Sequence, residues 1–435
     1  MKYAPTESVA VVAFMVAVSL LVACAAPPSQ QEHRPDSSIT LETRVDDGVF
    51  PVAEGLRPQI EFWRRVYSEW SLRQVVLHDD VHVDLIYTVI ELPGPIEVNR
   101  SYTASQRALV REYRKSLSAS LQALERKLLS REALSKAEQA LATHITLKAN
   151  HKAIFGASER VRSQRGQRER FKRGLEISGR YDGIFREIFQ AAGLPGDLAY
   201  LPHVESSFQA HARSSAGAVG MWQFTRPAAR VYMRNHPALD ERLDPVASAR
   251  GAARYLRDAY DQLGDWALAL TSYNHGIGGM RKAKDLFGNN FMGIVQYYDH
   301  RRFGFASRNF YAEFLAAREI ARNPERFFSG GLVYDAPLDW DRIVLKQPVL
   351  SSEVARYYGV VHSDLVALNA AWTPAAVRDK VALPVDTEVW LPPGTLVSLS
   401  QSKSRKRETF VFTDGVFTDS EVLDVSRNGN RSLSE

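Results

Sequence analysis

The sequence predicts a mainly α-helical protein with a small α+β module towards its C-terminal end. Three observations carry this. Apolar residues recur at helical spacing through most of the stretch from Phe62 to Ala317. Helix punctuation recurs with them, as in Asp244-Pro245 before one stripe and Gly264-Asp265 between two others. Short β-branched runs at Ile343–Leu345 and Val389–Leu391 then bracket two brief helical patterns. A length of 435 residues, 45% apolar and 24% charged, gives room for two or three domains with a sizeable core. The net charge of +5 suits an anionic partner. No basic helix with base-reading character accompanies it, so no nucleic acid is expected as partner.

At the N-terminus, Lys2 precedes an apolar run from Val9 to Val22, which is short for a membrane span and typical of a signal segment. Its end, Leu21-Val22-Ala23-Cys24, resembles the bacterial lipoprotein box. The resemblance implies a signal peptide over 1–23, lipidation of Cys24, and a membrane attachment through it. Ala25 after the cysteine implies, by the same resemblance, an outer-membrane lipoprotein facing the periplasm. Cys24 is the sole cysteine, which excludes disulfides within the chain and thiolate metal sites. Residues 24–48, polar and carrying Pro27-Pro28, read as a flexible tether.

Residues 49–175 form an N-terminal, mainly helical region. Phe62, Val66 and Trp70 share a helix face. Alternation through Val81–Tyr87 predicts a short strand before Pro93-Gly94-Pro95. Leu109, Tyr113, Leu117, Leu121, Leu124 and Leu128 mark a long amphipathic helix expected to continue through Leu134, Leu141 and Ile145. Six arginines between Arg160 and Arg173 suggest a solvated helix face, with anionic glycan peptides or lipid headgroups as the alternative contact.

Residues 176–328 hold the chemistry. Asp197 reads as a helix N-cap, and Leu201, Val204 and Phe208 follow at helical spacing. At about 100° per residue, Glu205 falls about 40° from Leu201, inside the apolar stripe. Burial there disfavours its ionised form and raises its pKa, as a general acid requires; a Glu bonded to a backbone amide or an arginine would fit equally well. Ser214–Gly220 is a small-residue loop that lets backbone approach a ligand. Met221, Trp222 and Gln223 then offer an apolar platform beside an amide that both donates and accepts. Tyr273-Asn274 lie at the end of the helix opened by Asp265, and Phe310, Phe314 and Ala317 line a last one over 303–324. His203, His211 and His275 lack metalloprotease spacing, so no metal or cofactor is expected.

Glu205-Ser206, Gly220-Met221-Trp222-Gln223 and Ser272-Tyr273-Asn274 match, in order, the Glu-Ser, Gly-Leu-Met-Gln and Ala-Tyr-Asn signatures of the lytic transglycosylase family, which this stretch resembles. The run Leu201-Pro202-x-Val204-Glu205-Ser206-Ser207-Phe208 resembles its membrane-bound D-type branch. The resemblance implies a lysozyme-like (SLT) helical domain acting on peptidoglycan glycan strands. It implies cleavage between N-acetylmuramic acid and N-acetylglucosamine without water, leaving a 1,6-anhydro end. Glu205 would serve as acid and then base. Ser214, Gln223, Tyr273 and Asn274 would hold the sugar, with Met221 and Trp222 as the platform. The family's Glu-Thr-Arg-x-Tyr-Val signature is altered to Ala306-Ser307-Arg308-Asn309-Phe310-Tyr311.

Residues 340–395, with strand–helix–helix–strand order and Ala367-Leu368-Asn369, resemble a LysM glycan-binding module whose usual Gly-Asp turn is replaced by Gln347-Pro348. Residues 396–435 read as a disordered polar tail with a basic cluster at Lys403–Arg407. Two rival functions are a hydrolytic, lysozyme-like muramidase and a non-catalytic glycan-binding envelope lipoprotein. The first needs a second acid, and the second predicts a degraded signature set.

Overall fold

The computed structural model describes residues 48–98, 101–399 and 417–418. The signal stretch, Cys24, nearly all of the tether and the basic tail cluster lie outside the described residues. The architecture is mainly α with two small antiparallel sheets. No helix among the described residues is long and apolar enough to cross a membrane.

The first helix, α1 (Arg57–Ser68), buries Ile60, Phe62, Trp63, Val66 and Tyr67. Next come strands β1 (Gln74–Asp79) and β2 (Ile86–Glu91). The strand expected at Val81–Tyr87 is therefore displaced. Val81–Asp84 is the connection, because the Asp79 carboxylate accepts from the Val81 and His82 amides and turns the chain. β1 is buried at nearly every position, so it lacks the alternation that reveals a half-buried strand.

The long helix also divides, into α2 (Ala104–Ser130) and α3 (Lys136–Lys148). Arg131 takes φ 56°, which ends α2, and Ser135 with Glu138 forms a capping box that opens α3. The arginine run is not one solvated face. Part of it is strand β3 (Val161–Arg165), paired to β1, and part opens α4 (Arg168–Ser178). Arg160 pairs with the buried Asp79, while Arg165 and Arg168 donate to the Leu72 and Ser68 carbonyls.

Helix α5 (Asp182–Ala191) leads through a 3₁₀ segment, Gly196–Tyr200, into α6 (Leu201–Glu205). Asp197 caps nothing; its carboxylate gathers Arg186, Arg318 and Arg322. After α7 (Arg226–Tyr232) come α8 (Pro245–Leu263), capped by Asp244 and closed by Gly264, and α9 (Trp266–His275), capped by Asp265, as the sequence predicts. Helices α10 (Ile277–Phe287), α11 (Phe291–Tyr297) and α12 (Phe305–Arg322) complete the bundle.

One hydrophobic core runs from the N-terminal region into this bundle, joining Phe50, Phe62 and Tyr67 to Phe185, Leu256, Leu268 and Phe314. Helix α1 packs along α12, and Trp63 donates from Nε1 to Asn309 Oδ1 across that contact, 3.1 Å.

The C-terminal module has strand β4 (Asp341–Leu345) between β5 (Glu388–Leu391) and β6 (Phe417–Thr418), with α13 (Ser351–Tyr358), α14 (His362–Leu368) and α15 (Pro374–Val377) between β4 and β5. Its core includes Ala238 and Leu239, which the helical bundle contributes. The Asp240 amide donates to Ala371 and the Thr373 amide to Ala238, while Trp390 donates from Nε1 to the buried Asp244 carboxylate. The module is docked on the bundle through backbone and buried side chains.

Candidate functional site

Helix α6 is five residues long, and Glu205 is its last. The sequence stripe reaches Phe208, but the backbone leaves the helix first: Ser207 and Phe208 take φ 51° and 59°. Two successive non-glycine residues in the left-handed region store strain, of about 1–3 kcal/mol each. The turn is held because Ser206 Oγ donates to the Met221 carbonyl at 2.7 Å and accepts from the Gln209 amide. It also lies against α4, where a Cβ on Gly174 would come within 2.9 Å of the Ser207 carbonyl oxygen. Glu205 therefore sits at a helix end, at the start of a tightly defined turn.

Among the described residues the Glu205 carboxyl has no hydrogen-bonding partner of the kind that would hold it ionised. Burial pushes its pKa up to about 8, and the charge of Glu313 beside it adds to the effect. Beneath it His203 is 1% exposed, stacked on Phe171 at 5.0 Å and tilted against Phe208 at 4.5 Å. Neither of its ring nitrogens has a partner, and burial lowers its pKa to about 3, so it is a neutral aromatic packing group. No group of three or more metal-ligating side chains occurs among the described residues.

The loop after α6 folds back as a pair of small bridges, with Val219 facing Arg213 and Phe224. Ser214, fully on the surface, uses its Oγ to accept from the Ala218 amide, 3.0 Å. Gly220 takes φ 82°, and a Cβ there would lie 1.8 Å from the Arg242 carbonyl oxygen, so only glycine fits. Gln223, at φ 49°, donates from Nε2 to the Gly220 and Ala212 carbonyls. Its amide nitrogen thus fixes the loop, and the carbonyl oxygen is the end left for other contacts.

Met221 and Trp222 are not a platform. They are 1% and 0% exposed, and Trp222 packs on Phe185 and Phe189 with its Nε1 donating to the Pro245 carbonyl. An aromatic and a methionine after a glycine turn read equally as surface or core, and here the core claims both. Their backbone still matters: Met221 accepts from Ser206, and Trp222 accepts from the Tyr273 hydroxyl at 2.9 Å. Tyr273 is close enough to Glu205 for the carboxylate charge to raise its pKa further, after burial has already raised it. Asn274 is exposed at the end of α9, with its Oδ1 accepting from Ser307 Oγ at 2.7 Å. Gln223 and Tyr273 are thus held to the one Gly220–Gln223 loop, Tyr273 lies within electrostatic reach of Glu205, Asn274 is fixed by Ser307, and Ser214 is exposed on the loop.

Two residues the sequence reading passed over stand at the centre. Glu313 of α12 carries a carboxyl whose pKa burial raises to about 8, against the opposing effect of a hydrogen bond from Tyr67. Tyr67 Oη donates to Glu313 Oε2 at 3.2 Å, and its own pKa is raised by burial and by the charges of Glu313 and Glu205. The signal for Glu313 existed. It lies about 40° from Ala317 on the helix wheel, as Glu205 does from Leu201. Tyr67 had no signal of its own, because a tyrosine in an aromatic helix face reads as core.

A short helix ending in a carboxyl whose pKa is raised by burial thus lies near a glycine loop and a Tyr-Asn helix end. Residues 185–290 match the transglycosylase SLT domain. Over 179 residues the chain is 30% identical to membrane-bound lytic murein transglycosylase D of Escherichia coli (strain K12), covering 41% of this chain and 39% of that one. It is 35% identical over 115 residues to membrane-bound lytic murein transglycosylase F 2 of Alkalilimnicola ehrlichii, covering 25% of this chain and 24% of that one. The matches thus span about two fifths or less of these relatives. Among solved structures, the 70 kDa soluble lytic transglycosylase Slt70 of Escherichia coli aligns over 55% of this chain and 38% of that one, at 17% identity and a TM-score of 0.29.

Proposed function

We propose that the protein is a peptidoglycan lytic transglycosylase, with Glu205 as its single acid and base. The observation that carries this is the state of Glu205. With a pKa near 8 it holds a proton at neutral pH, and it has no cation or backbone amide to neutralise. It gives that proton to the glycosidic oxygen as the muramic C1–O bond breaks. The carboxylate left behind takes the proton of the muramic C6 hydroxyl while that oxygen closes on C1. The proton lent is returned, no water is consumed, and intramolecular attack supplies the effective molarity that a bound water would lack. Tyr273 holds the Trp222 carbonyl and so the loop, Gln223 and Asn274 present amide groups to the sugar, and Ser214 flanks its path. Neither metal nor cofactor enters this scheme.

Glu313 gives the hydrolytic reading a specific footing, since hydrolases that retain or invert use two carboxyls. Its burial and its raised pKa make it a poor base at neutral pH, which favours the one-acid route. Mass spectrometry of muropeptides released from purified sacculi separates the two. Ends lighter by one water than a reducing sugar are expected; reducing ends as the main product would make the protein a muramidase.

We place it in the cell envelope, in keeping with the membrane-bound names of the relatives. Lipidation at Cys24 and the outer membrane are the finer form of that proposal. The C-terminal module, by its LysM-like order of elements, is proposed to take part in glycan binding from its docked position.

A further inference from the structure

A cavity of about 600 Å³ lies between the loop side of the SLT domain and the C-terminal module, away from Glu205. Five of its lining residues are arginines: Arg213, Arg226, Arg230, Arg234 and Arg242, with Trp372 on the module side. Two acids also line it, Asp240 and Glu241, and both are already engaged. Asp240 takes two hydrogen bonds from Arg242, through Nε and Nη2 at 2.8 and 2.7 Å, and Glu241 accepts from the Arg234 amide. Arg234 donates from Nη2 to the Val385 carbonyl at 2.6 Å. The side chains of Arg213, Arg226 and Arg230 have no acceptor among the described residues, and all three are exposed.

Arg242 is the informative member. It is 4% exposed, yet its Nη1 has no hydrogen-bonding partner. A guanidinium left with an unpaired buried N–H is costly unless something nearby completes it. Its carbonyl also rests against Gly220, so the wall of the cavity and the Gly220–Gln223 loop are two sides of one structure. Three exposed arginines without acceptors, Arg213, Arg226 and Arg230, converge on one concave surface around a buried guanidinium already paired to Asp240, and this excess of positive charge makes an anion site.

Resting on the function proposed above, the geometry points to this cavity as a subsite for the carboxylates of the peptide stems carried by the glycan. Arg226 and Arg230 form its exposed mouth, Arg242 its floor, and the docked module closes it through Trp372. An enzyme built so would prefer strands that still bear peptides. It would also sense them through the Arg242–Gly220 contact rather than through the sugar frame of Gln223 and Asn274.

The test compares two substrates: glycan strands with intact peptide stems, and the same strands after an amidase has removed them. The full-length protein should bind and cleave the peptide-bearing strands better, by about tenfold, the effect expected of a few charge-assisted contacts near the surface. The double variant Arg226→Ala, Arg230→Ala should lose that preference while cleaving peptide-free strands as the wild type does. Both residues are exposed and neither touches the Glu205 frame, so folding is not at risk. Equal cleavage of both strands by the wild type would overturn the inference, as would a variant that keeps the preference. Absence of cleavage on either strand would instead strike at the transglycosylase reading itself.

Discussion

Two carboxyls withdrawn from water, the half-buried Glu205 and the buried Asp244, lie in the same bundle in opposite settings. Burial raises the pKa of both. Asp244 answers it with three donors: Oδ1 accepts from the Val246 and Ala247 amides, each at 2.8 Å, and Oδ2 from Trp390 Nε1 at 3.1 Å. It caps α8 and seats the C-terminal module in one group. Glu205 has no such donors among the described residues and faces a second acid, Glu313. Burial alone therefore does not make a carboxyl reactive. A full set of donors turns it into a structural joint, and their absence leaves a proton free to move.

The strongest way to break this contrast is Glu205→Gln. The amide keeps the shape but cannot exchange a proton, so turnover on sacculi should fall by roughly 10²–10⁴, or more because one group serves both steps. Stability should not fall. The folded carboxyl binds its proton up to about pH 8, whereas the unfolded one releases it near the ordinary glutamate value. Its contribution to stability is thus fully present in acid and is lost as pH rises towards 8. Glutamine removes that loss, so denaturant melts at pH 8 should show the variant at least as stable as the wild type. Undiminished turnover would remove the basis of the site.

Asp244→Ala should do the reverse. It deletes a helix cap, about 1 kcal/mol, and leaves the Trp390 indole N–H unpaired, about 1–3 kcal/mol more. Urea midpoints should drop accordingly, while activity per folded molecule should stay near that of the wild type. A large fall in kcat without a fall in stability would show that Asp244 belongs to the chemistry.

The sequence made some of this legible and hid the rest for physical reasons. Helix ends were readable where a side chain declares them, at Asp244, Gly264 and Asp265, because capping is local chemistry. Glu205 was readable because an acid inside an apolar stripe is a local contradiction. The left-handed turn at Ser207 and Phe208 was not, since its cause is remote: Ser206 reaching Met221, and Gly174 making room. Trp222 was misread because a flat ring after a glycine turn carries no mark of which side it faces. β1 was missed because full burial erases the period-two pattern. The docking of the C-terminal module depends on Ala238 and Leu239, two apolar residues whose partners lie more than a hundred residues away. Glu313 lay in plain view on an inward face, yet its meaning depends on Tyr67 and Glu205, which only the fold brings near it.

The gentlest change, Glu313→Gln, sharpens the contrast from the other side. Glu205 and Glu313 form a pair of buried acids, and such a pair loses its protons in separate macroscopic steps because the first charge opposes the second. Glutamine at 313 can still accept the Tyr67 hydrogen bond, so the local packing should survive. What disappears is the like charge that helps hold the Glu205 proton. The Glu205 pKa should then fall, though by less than its whole shift, because burial is the larger cause and remains. The alkaline limb of kcat/KM reports loss of the acid form and should move to lower pH, leaving the rate at mildly acidic pH near that of the wild type. The same shift should appear in the binding of a neutral glycan only if Glu205 must be protonated to bind. Measuring kcat and KM separately across the limb therefore assigns the proton to the chemical step or to the complex. A limb that stays where it was would mean that Glu313 is no more than a buried partner of Tyr67.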